Sequence, residues 1–312
     1  MKAAIIGAGR NRNGIGEYIG KYFHEGGAAV TAVLGTSQET ARRAASGLQK
    51  YGISAQPHTD FDSMLEQQRP DAVIIASPAE THRDYIDRCL DAGVDIFCEK
   101  PFIWPGANNL HGMLDSFFAR AGEKNLNIAM NSQWPFSVPF YEKLCGSITP
   151  QDAGSFCMRL SPTASGREMI PDSAPHALSI LYHTLGPGDI AGIEATPVAC
   201  GMDIAFQYHT RECTCRVTVK LVRQDRQPRD FAFGFNDRVV RRTVKPDNYT
   251  IAFSRDTETV PVPDPLRLSV RDFISAARQH REPVVGRQHI VTTTLLLKKI
   301  YDSCEMEKQW KN

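Results

Sequence analysis

The sequence lacks the features that mark several classes of protein. No apolar stretch approaches the roughly 20 residues that a bilayer-spanning helix needs, and the chain contains neither an internal repeat nor a low-complexity segment. Lysine and arginine number 36 against 35 aspartates and glutamates, so no excess of charge marks the chain for nucleic acid or an anionic membrane. These absences favour a globular protein whose partner is a small molecule.

Cysteine is present but is not arranged as a disulfide framework or a zinc site. The eight cysteines are scattered, and the one close pair, Cys213 and Cys215, has no second pair and no nearby histidine to complete a zinc site. The apolar run that follows Lys2 stops at Gly7, which is too short for the core of a signal peptide. We therefore expect reduced thiols, no metal and a cytoplasmic location.

The first part of the 312-residue chain alternates short apolar strands with helical stretches. The pattern predicts strands at 3–6, 30–34, 72–76, 96–98 and 128–130. Helices are predicted at 16–25, 38–51 and 81–92, with one more before the last strand. Apolar strands separated by helices predict a doubly wound parallel sheet covered on both faces, which we assign to residues 1–130.

The pattern changes after about residue 150. Residues 215–221 and 231–235 alternate apolar with polar or small side chains, as strands buried on one face do. Two helical stretches, near 267–280 and 287–303, close the chain. We predict that residues 131–312 form a substrate and catalytic α+β domain with an open, largely antiparallel sheet. Its closing helices are able to pack back on the first domain.

A glycine-rich loop directly follows the first predicted strand and precedes a helix, the context of a dinucleotide-binding Rossmann fold. The third glycine of G-x-G-x-x-G is replaced by arginine, and the next glycine comes two residues later, so the loop is extended. A plain strand-to-helix turn is the alternative. The loop residues predicted to contact the cofactor are Gly7, Gly9, Arg10, Asn11, Arg12, Gly14, Ile15 and Gly16.

The residues after the second strand bear on the choice of cofactor. NAD-specific Rossmann domains usually place a carboxylate here for the adenosine ribose, but this chain has Gly35, Thr36 and Ser37. Without a carboxylate a 2′-phosphate is not repelled, and arginines of the loop or of the following helix could supply countercharge. We therefore favour NADP(H), with NAD(H) as the alternative, and predict contacts from Thr36 and Ser37.

Two further segments follow strands at their carboxyl ends, where open α/β sheets bind ligands. Residues 77–82 read Ser-Pro-Ala-Glu-Thr-His, and residues 98–101 read Cys-Glu-Lys-Pro. Together with the glycine loop, these segments resemble the Gfo/Idh/MocA oxidoreductases, the family of glucose-fructose oxidoreductase and inositol dehydrogenase. The resemblance implies cofactor contacts from Ser77, Pro78, His82, Glu99 and Lys100, and a cis peptide bond between Lys100 and Pro101.

The resemblance also implies a catalytic group. Asp172 and His176 match an Asp-x-x-x-His element of the family, and on a helix this spacing places both on one face. By resemblance Lys100 would hydrogen-bond the reacting oxygen, His176 would exchange its proton and Asp172 would orient the site. Imidazole suits proton exchange because its ordinary pKa is close to 6.5. A surface lysine and a capped helix start are the structural alternatives.

Departures from the family bear on the substrate. Ala174 and Ser179 stand where the family often has glycine and aspartate, and Gln133 and Trp134 stand near an expected Arg-Phe pair. We therefore expect substrate contacts from Lys100, Gln133, Trp134 and His176 but do not carry over inositol or glucose. Trp134 either stacks on a sugar or fills core.

These observations predict an NAD(P)-dependent dehydrogenase or reductase that acts on a sugar, polyol or related small molecule. Two alternatives remain: a lyase or glycosidase that uses the cofactor without net redox, and a non-catalytic NADP-sensing protein. By resemblance to the family we also expect a homodimer or homotetramer.

Overall fold

A computed structural model describes residues 1–9, 14–245 and 249–304. The chain divides into two compact units. The first contains Met1–Asn131 and Leu266–Ile290, and the second contains Ser132–Pro265 and the chain from Val291 onward. The first boundary lies one residue after the predicted one, whereas the return of residues 266–290 to the first unit divides the predicted second domain.

The first unit is built on six parallel strands. The strands are β1 (Lys2–Ile6), β2 (Ala29–Leu34), β3 (Gln56–His58), β4 (Ala72–Ile75), β5 (Asp95–Glu99) and β6 (Ile128–Asn131). The helices between them are α1 (Gly16–Glu25), α2 (Gln38–Gln49), α3 (Phe61–Gln68), α4 (His82–Ala92) and α5 (Leu110–Glu123). The predicted doubly wound fold is confirmed.

The strand order β3-β2-β1-β4-β5-β6 places the point where the winding reverses between β1 and β4. At such a point the loops after the two strands diverge and leave room for a ligand beyond their carboxyl ends. The prediction did not include β3 or α3. β3 is a short edge strand of sequence Gln-Pro-His, so it carries no apolar run that could reveal it.

The second unit is built on one eight-stranded sheet. Its strands are β7 (Ser155–Leu160), β8 (Asp189–Val198), β9 (Gly201–His209), β10 (Thr214–Val222), β11 (Phe231–Phe235), β12 (Arg238–Lys245), β13 (Thr250–Arg255) and β14 (Glu258–Val262). The order is β14-β13-β12-β11-β7-β10-β9-β8, and only β7 and β10 pair in parallel. The predicted open, largely antiparallel sheet is confirmed.

The two faces of this sheet differ as the sequence alternation predicts. Phe156, Met158 and Leu160 of β7 are buried, while the alternate residues Cys157 and Arg159 are partly exposed. The buried face packs against helices α6 (Val138–Cys145) and α7 (Met169–Leu185). Because successive strand residues point to opposite faces, the other face of the sheet has no helix packed on it among the described residues.

Helices α8 (Pro265–Gln279) and α9 (Arg287–Ser303) close the described chain. Phe273 of α8 contacts Phe23 and Phe97 in the first unit, with ring centroids 5.8 and 5.3 Å apart. All three rings are buried, and burying an aromatic side chain contributes roughly 1.5–3 kcal/mol. This cluster explains why α8 belongs to the first unit although it comes late in the sequence.

The described residues contain no helix long and apolar enough to cross a membrane. Within the same ranges, no group of three or more histidine, cysteine or carboxylate side chains is placed to hold a metal ion.

Candidate functional site

The glycine loop begins where β1 ends, and its glycines lie against neighbouring backbone. Gly7 has a φ of +86°, and a Cβ there would come within 2.7 Å of the backbone at Ala76 and Ser77. A Cβ on Gly9 would lie 3.1 Å from the carbonyl oxygen of Thr40, and one on Gly16 would lie 3.0 Å from Ala8 Cα. The loop therefore lies closer to the carboxyl end of β4 and to the first turn of α2 than residues with a Cβ could lie.

Helix α1 begins at Gly16 with Ile15 in the preceding position and no side-chain cap. The first N–H groups of a helix lack intrahelical partners, so this end suits an anion such as a pyrophosphate. Gly14 is partly buried beside it. The predicted contacts from Arg10, Asn11 and Arg12 lie outside the described residues.

The segment after β2 is shaped by the start of α2. A Cβ on Gly35 would lie 2.6 Å from the amide nitrogen of Ala41 and 2.8 Å from Thr40 Oγ1, so a carboxylate side chain has no room at this position. Ser37 caps α2, and its hydroxyl accepts from the Thr40 N–H while Thr40 Oγ1 accepts from the Ser37 N–H. Thr36 is exposed. The Ser37 hydroxyl thus already caps the helix, whereas the side chain of Thr36, the other predicted contact, is exposed to solvent.

The loop after β4 is held by its own hydroxyl groups. Thr81 Oγ1 donates to the carbonyl oxygen of Pro78 at 2.7 Å, and it lies 2.7 Å from Ser77 Oγ. Because the Thr81 proton is used on Pro78, Ser77 is the donor of the second bond. Ser77 is buried and Pro78 is exposed. These two predicted cofactor contacts therefore belong to one fixed turn.

His82 joins this loop to the one that follows β5. The buried imidazole places Nδ1 2.9 Å from the carbonyl oxygen of Pro101 and Nε2 3.0 Å from that of Ser77. Both oxygens can only accept, so neutral imidazole donates to one of them and imidazolium donates to both. His82, predicted as a cofactor contact, therefore also links the two loops through the backbone oxygens of Ser77 and Pro101.

Glu99 ends β5 and is buried, and its carboxylate accepts a hydrogen bond from the side-chain amide of Asn131 at the end of β6. The amide oxygen of Asn131 is also buried and has no hydrogen-bond partner among the described residues. A buried acceptor without a partner is costly. This edge of the sheet therefore carries a hydrogen-bond acceptor for which the described part of the chain supplies no donor.

Lys100 follows Glu99 directly and is partly buried. The Lys100–Pro101 peptide bond is cis, as the resemblance implied. The preceding thiol, Cys98, is fully buried, and burial together with the neighbouring carboxyl group of Glu99 raises its pKa. Cys98 is therefore an unreactive core residue, and Lys100 is the basic side chain at this strand end.

In the second unit, α7 carries the other predicted catalytic residues. The helix begins at Met169, so Asp172 lies in its first turn and is not the cap, which is Glu168. From residue 169 to 181 every side chain is buried except those of Asp172 and His176. These two residues form a polar, partly exposed stripe on an otherwise buried stretch of helix. Ser179, one turn further on, is fully buried.

Trp134 lies beside His176, with ring centroids 6.4 Å apart and the ring planes nearly perpendicular. The indole is only 4% exposed and stacks on Phe231 at a centroid distance of 3.7 Å. The burial of Trp134 favours a role in the core over stacking on a sugar. Its ring nevertheless contacts the imidazole of His176. Gln133, the residue before it, is partly buried.

The prediction missed Asn131, Phe231 and Arg242. Asn131 ends β6 at the same edge of the sheet as Lys100, and this position at a strand end could have identified it as a candidate site residue. Nothing local distinguishes Arg242 from Arg241, because only the register of β12 places it beside Trp134.

The strand order and the glycine loop define the first unit as a dinucleotide-binding Rossmann domain, here joined to an α+β unit. Residues 1–116 match the model of the oxidoreductase family with an NAD-binding Rossmann fold, Gfo/Idh/MocA. This match covers the first 116 residues and confirms the resemblance to that family on which the site was predicted.

Individual proteins show the same resemblance. Inositol 2-dehydrogenase 4 of Saccharopolyspora erythraea is 35% identical over 75 residues, 24% of this chain and 21% of that protein. UDP-N-acetylglucosamine 3-dehydrogenase of Acidithiobacillus ferrooxidans is 24% identical over 92% of this chain and 93% of its own length. The chain thus aligns with about a fifth of the length of the inositol dehydrogenase and with most of the second relative.

Solved structures extend the likeness to the whole chain. The structure of the Acidithiobacillus ferrooxidans enzyme superposes with a TM-score of 0.71 and 19% identity over 97% of both chains. A 3-ketoreductase from Actinomadura kijaniata, in complex with NADP and TDP-benzene, gives 0.73 and 18%, also over 97% of both chains. At these identities the superpositions show a common fold.

We expect Gly7→Ala to destabilise the first unit. A side chain in a sparsely populated region of φ costs about 1–3 kcal/mol, and here a Cβ would also approach the backbone at 2.7 Å. Because about 1 kcal/mol shifts the Tm of a domain of this size by 2–4 °C, Tm should fall by at least about 4 °C in a thermal melt. Gly122→Ala is the control, since a Cβ there meets nothing within 4 Å. Equal melting of the two variants would contradict the close approach.

Proposed function

We propose that this protein is an NAD(P)-dependent dehydrogenase or reductase that transfers hydride between nicotinamide and a carbon of a sugar, polyol or related small molecule. The observation that carries the proposal is the carboxyl edge of the six-stranded sheet. There the glycine loop, the two loops joined by His82 and the side chain of Lys100 lie at the ends of neighbouring strands. A small ligand with a pyrophosphate and a reactive ring fits such an edge.

The residues present fit a dinucleotide. The close backbone approach at Gly7 and the uncapped start of α1 suit a pyrophosphate. The unpartnered amide oxygen of Asn131 suits a hydrogen-bond donor on the cofactor. When bound, nicotinamide supplies or accepts the hydride.

The chain's own residues would handle the proton. Lys100 would donate a hydrogen bond to the substrate oxygen and stabilise negative charge as it develops there. His176 would take up or return the hydroxyl proton, and Asp172, one turn before it on the same helix face, would orient the imidazole. The buried surroundings of this pair on α7 favour a fixed geometry, because the neighbouring side chains are held in the core.

The relatives suggest the substrate class. Their names specify inositol, UDP-N-acetylglucosamine and a 3-keto group. The first two names specify a hydroxyl-bearing ring and the third a carbonyl, so a sugar-like substrate is the part we carry over to this chain. We also propose a cytoplasmic location, in keeping with eight free cysteines.

The choice of cofactor is tested by fluorescence titration with NADPH and NADH. We expect tighter binding of NADPH, because Gly35 leaves no room for the carboxylate that would repel a 2′-phosphate and would bind the ribose of NAD. At least about tenfold tighter binding of NADH, or roughly 1.4 kcal/mol, would contradict the preference. An NADH preference would leave the oxidoreductase proposal intact.

The reaction is tested by Lys100→Met and His176→Ala, assayed by absorbance at 340 nm on a panel of sugars and polyols. Loss of a positioned proton-transfer group typically lowers the rate by about 10²–10⁴-fold, and loss of a hydrogen bond to developing charge by about 10²–10³-fold. We expect losses of this size with cofactor affinity within about threefold of wild type, because the glycine loop carries most of the binding.

Exposed residues of the same types provide the controls, Lys143→Met and His111→Ala. Retention of more than about a third of wild-type turnover by either active-site variant, with hydride transfer rate-limiting, would remove that residue from the proposal. Turnover that needs no added NAD(P) would instead indicate elimination or hydrolysis without net redox.

We further propose that the uncovered face of the second sheet joins two copies of the chain. Cys157, Thr218 and Ala205 lie side by side on three adjacent strands of this face and are small and uncharged. Such a surface can pack on itself around a twofold axis. Thr218→Glu should therefore convert a dimer or tetramer to smaller species in light scattering after gel filtration, and Gln67→Glu should not. A monomeric wild type would contradict this assembly.

A further inference from the structure

Arg242 occupies an unusual place in the second unit. It lies on β12 two residues after Val240, which is fully buried, so both side chains belong to the helix-covered face of the sheet. Its neighbour Arg241 is exposed on the opposite face. A charged side chain on the covered face is uncommon and calls for a counter-charge or a ligand.

The guanidinium of Arg242 lies beside two buried aromatic rings. Its central carbon is 5.5 Å from the ring centroid of Trp134 and 5.3 Å from that of Phe231. Both aromatic side chains are only 4% exposed, and their stacking makes a rigid wall. A cation against aromatic faces is moderately favourable, but such contacts leave the guanidinium N–H donors unused.

The hydrogen bonds of Arg242 are few. One Nη donates to the carbonyl oxygen of Arg229 at 2.8 Å, while Nε is buried and has no acceptor among the described residues. Within those residues no carboxylate lies at salt-bridge distance from Arg242. A guanidinium has five N–H donors in a planar fork that matches a carboxylate or phosphate, so most of this fork is available.

The pKa of Arg242 is lowered, so its surroundings disfavour the charged guanidinium. Burial is the main cause that lowers its pKa, and Arg229 acts in the same direction. Tyr249 and Asp264 act in the opposite direction without overcoming burial. A partly desolvated charge without a partner is destabilising. Packing alone therefore does not explain an arginine at this position, whereas an anionic ligand would offset the cost of its burial.

Arg242 is also connected to the proposed reaction centre. Trp134 contacts the guanidinium on one side and His176 on another. A ligand that meets the partly exposed side chains of His176 and Arg242 would therefore run along Trp134. On the basis of the proposed function, we infer that Arg242 binds an anionic group of the substrate, and that the substrate is an acidic sugar carrying a carboxylate or a phosphate.

Isothermal titration tests this inference with methyl glucoside, methyl glucuronide and methyl glucoside 6-phosphate. NADPH is present, so that the sugar hydroxyls cannot pass hydride to the cofactor. We expect wild type to bind at least one anionic sugar about tenfold or more tightly than the neutral one, as a hydrogen-bonded ion pair allows. Whichever of the two anionic sugars binds more tightly identifies carboxylate or phosphate as the group recognised.

Two variants and one control complete the experiment. Arg242→Gln should bring the anionic-to-neutral ratio of affinities close to one, Arg242→Lys should retain part of it, and Arg241→Gln should leave it unchanged. Thermal melting separates recognition from structure, because removal of an uncompensated charge should leave the Tm of Arg242→Gln equal to or above wild type. Equal binding of neutral and anionic sugars by wild type, or discrimination retained in Arg242→Gln, would overturn the inference.

The outcomes also separate this inference from the proposed oxidoreductase function. Hydride transfer on a neutral sugar without preference for the anionic ones would leave the function standing and remove the role of Arg242. Discrimination that depends on Arg242 in a protein that transfers no hydride would support the binding role and contradict the function.

Discussion

The ligand-binding edge of the first unit depends on the absence of one carbon atom. At Gly7 the chain leaves β1 with a positive φ and passes so close to the end of β4 that a Cβ would lie 2.7 Å from the backbone of Ala76. The same contact brings the start of α1 against both strands, because Gly16 packs on Ala8 and Ala76. Backbone N–H groups at this helix start therefore face the point where the winding of the sheet reverses. A side chain at Gly7 would separate these elements and with them the surface that suits a dinucleotide.

Buried polar groups then hold the neighbouring strand ends in place. His82 spans the carbonyl oxygens of Ser77 and Pro101, and Glu99 accepts from Asn131, so β4, β5 and β6 are connected by hydrogen bonds at one edge. Removing the partner of a polar group that is shielded from water destabilises the folded state. Each of these hydrogen bonds therefore resists movement of the loop that it holds. Lys100 follows β5 directly and therefore lies beside these hydrogen bonds. The histidine of the sequence motif thus positions the loops on either side of this lysine.

The second unit places polar groups in apolar surroundings in two places. Asp172 and His176 form a polar stripe on a helix whose neighbouring residues are buried, and Arg242 lies against two buried aromatic rings. The burial of Arg242 costs free energy by desolvation, which a protein selected for stability alone would avoid. Trp134 contacts both His176 and Arg242 and gives each a rigid neighbour. The cost at Arg242 is understandable if the guanidinium meets an anionic ligand, because the ligand restores interactions that burial removed.

By itself the sequence determined the doubly wound first domain, the open and largely antiparallel second sheet and the residues of three motifs, because strand and helix periodicity and the constraints on glycine are local. It also placed Lys100 and the Asp172–His176 pair, since motif spacing survives folding. Only the tertiary structure decided that His82 lies between the backbone carbonyl oxygens of Ser77 and Pro101 and that Trp134 is buried against Phe231. Strand pairing likewise separated Arg242 from Arg241 and revealed the open acceptor of Asn131. These features depend on which distant backbone comes within hydrogen-bonding reach, and the pairing of strands far apart in sequence leaves no periodicity from which they could be inferred.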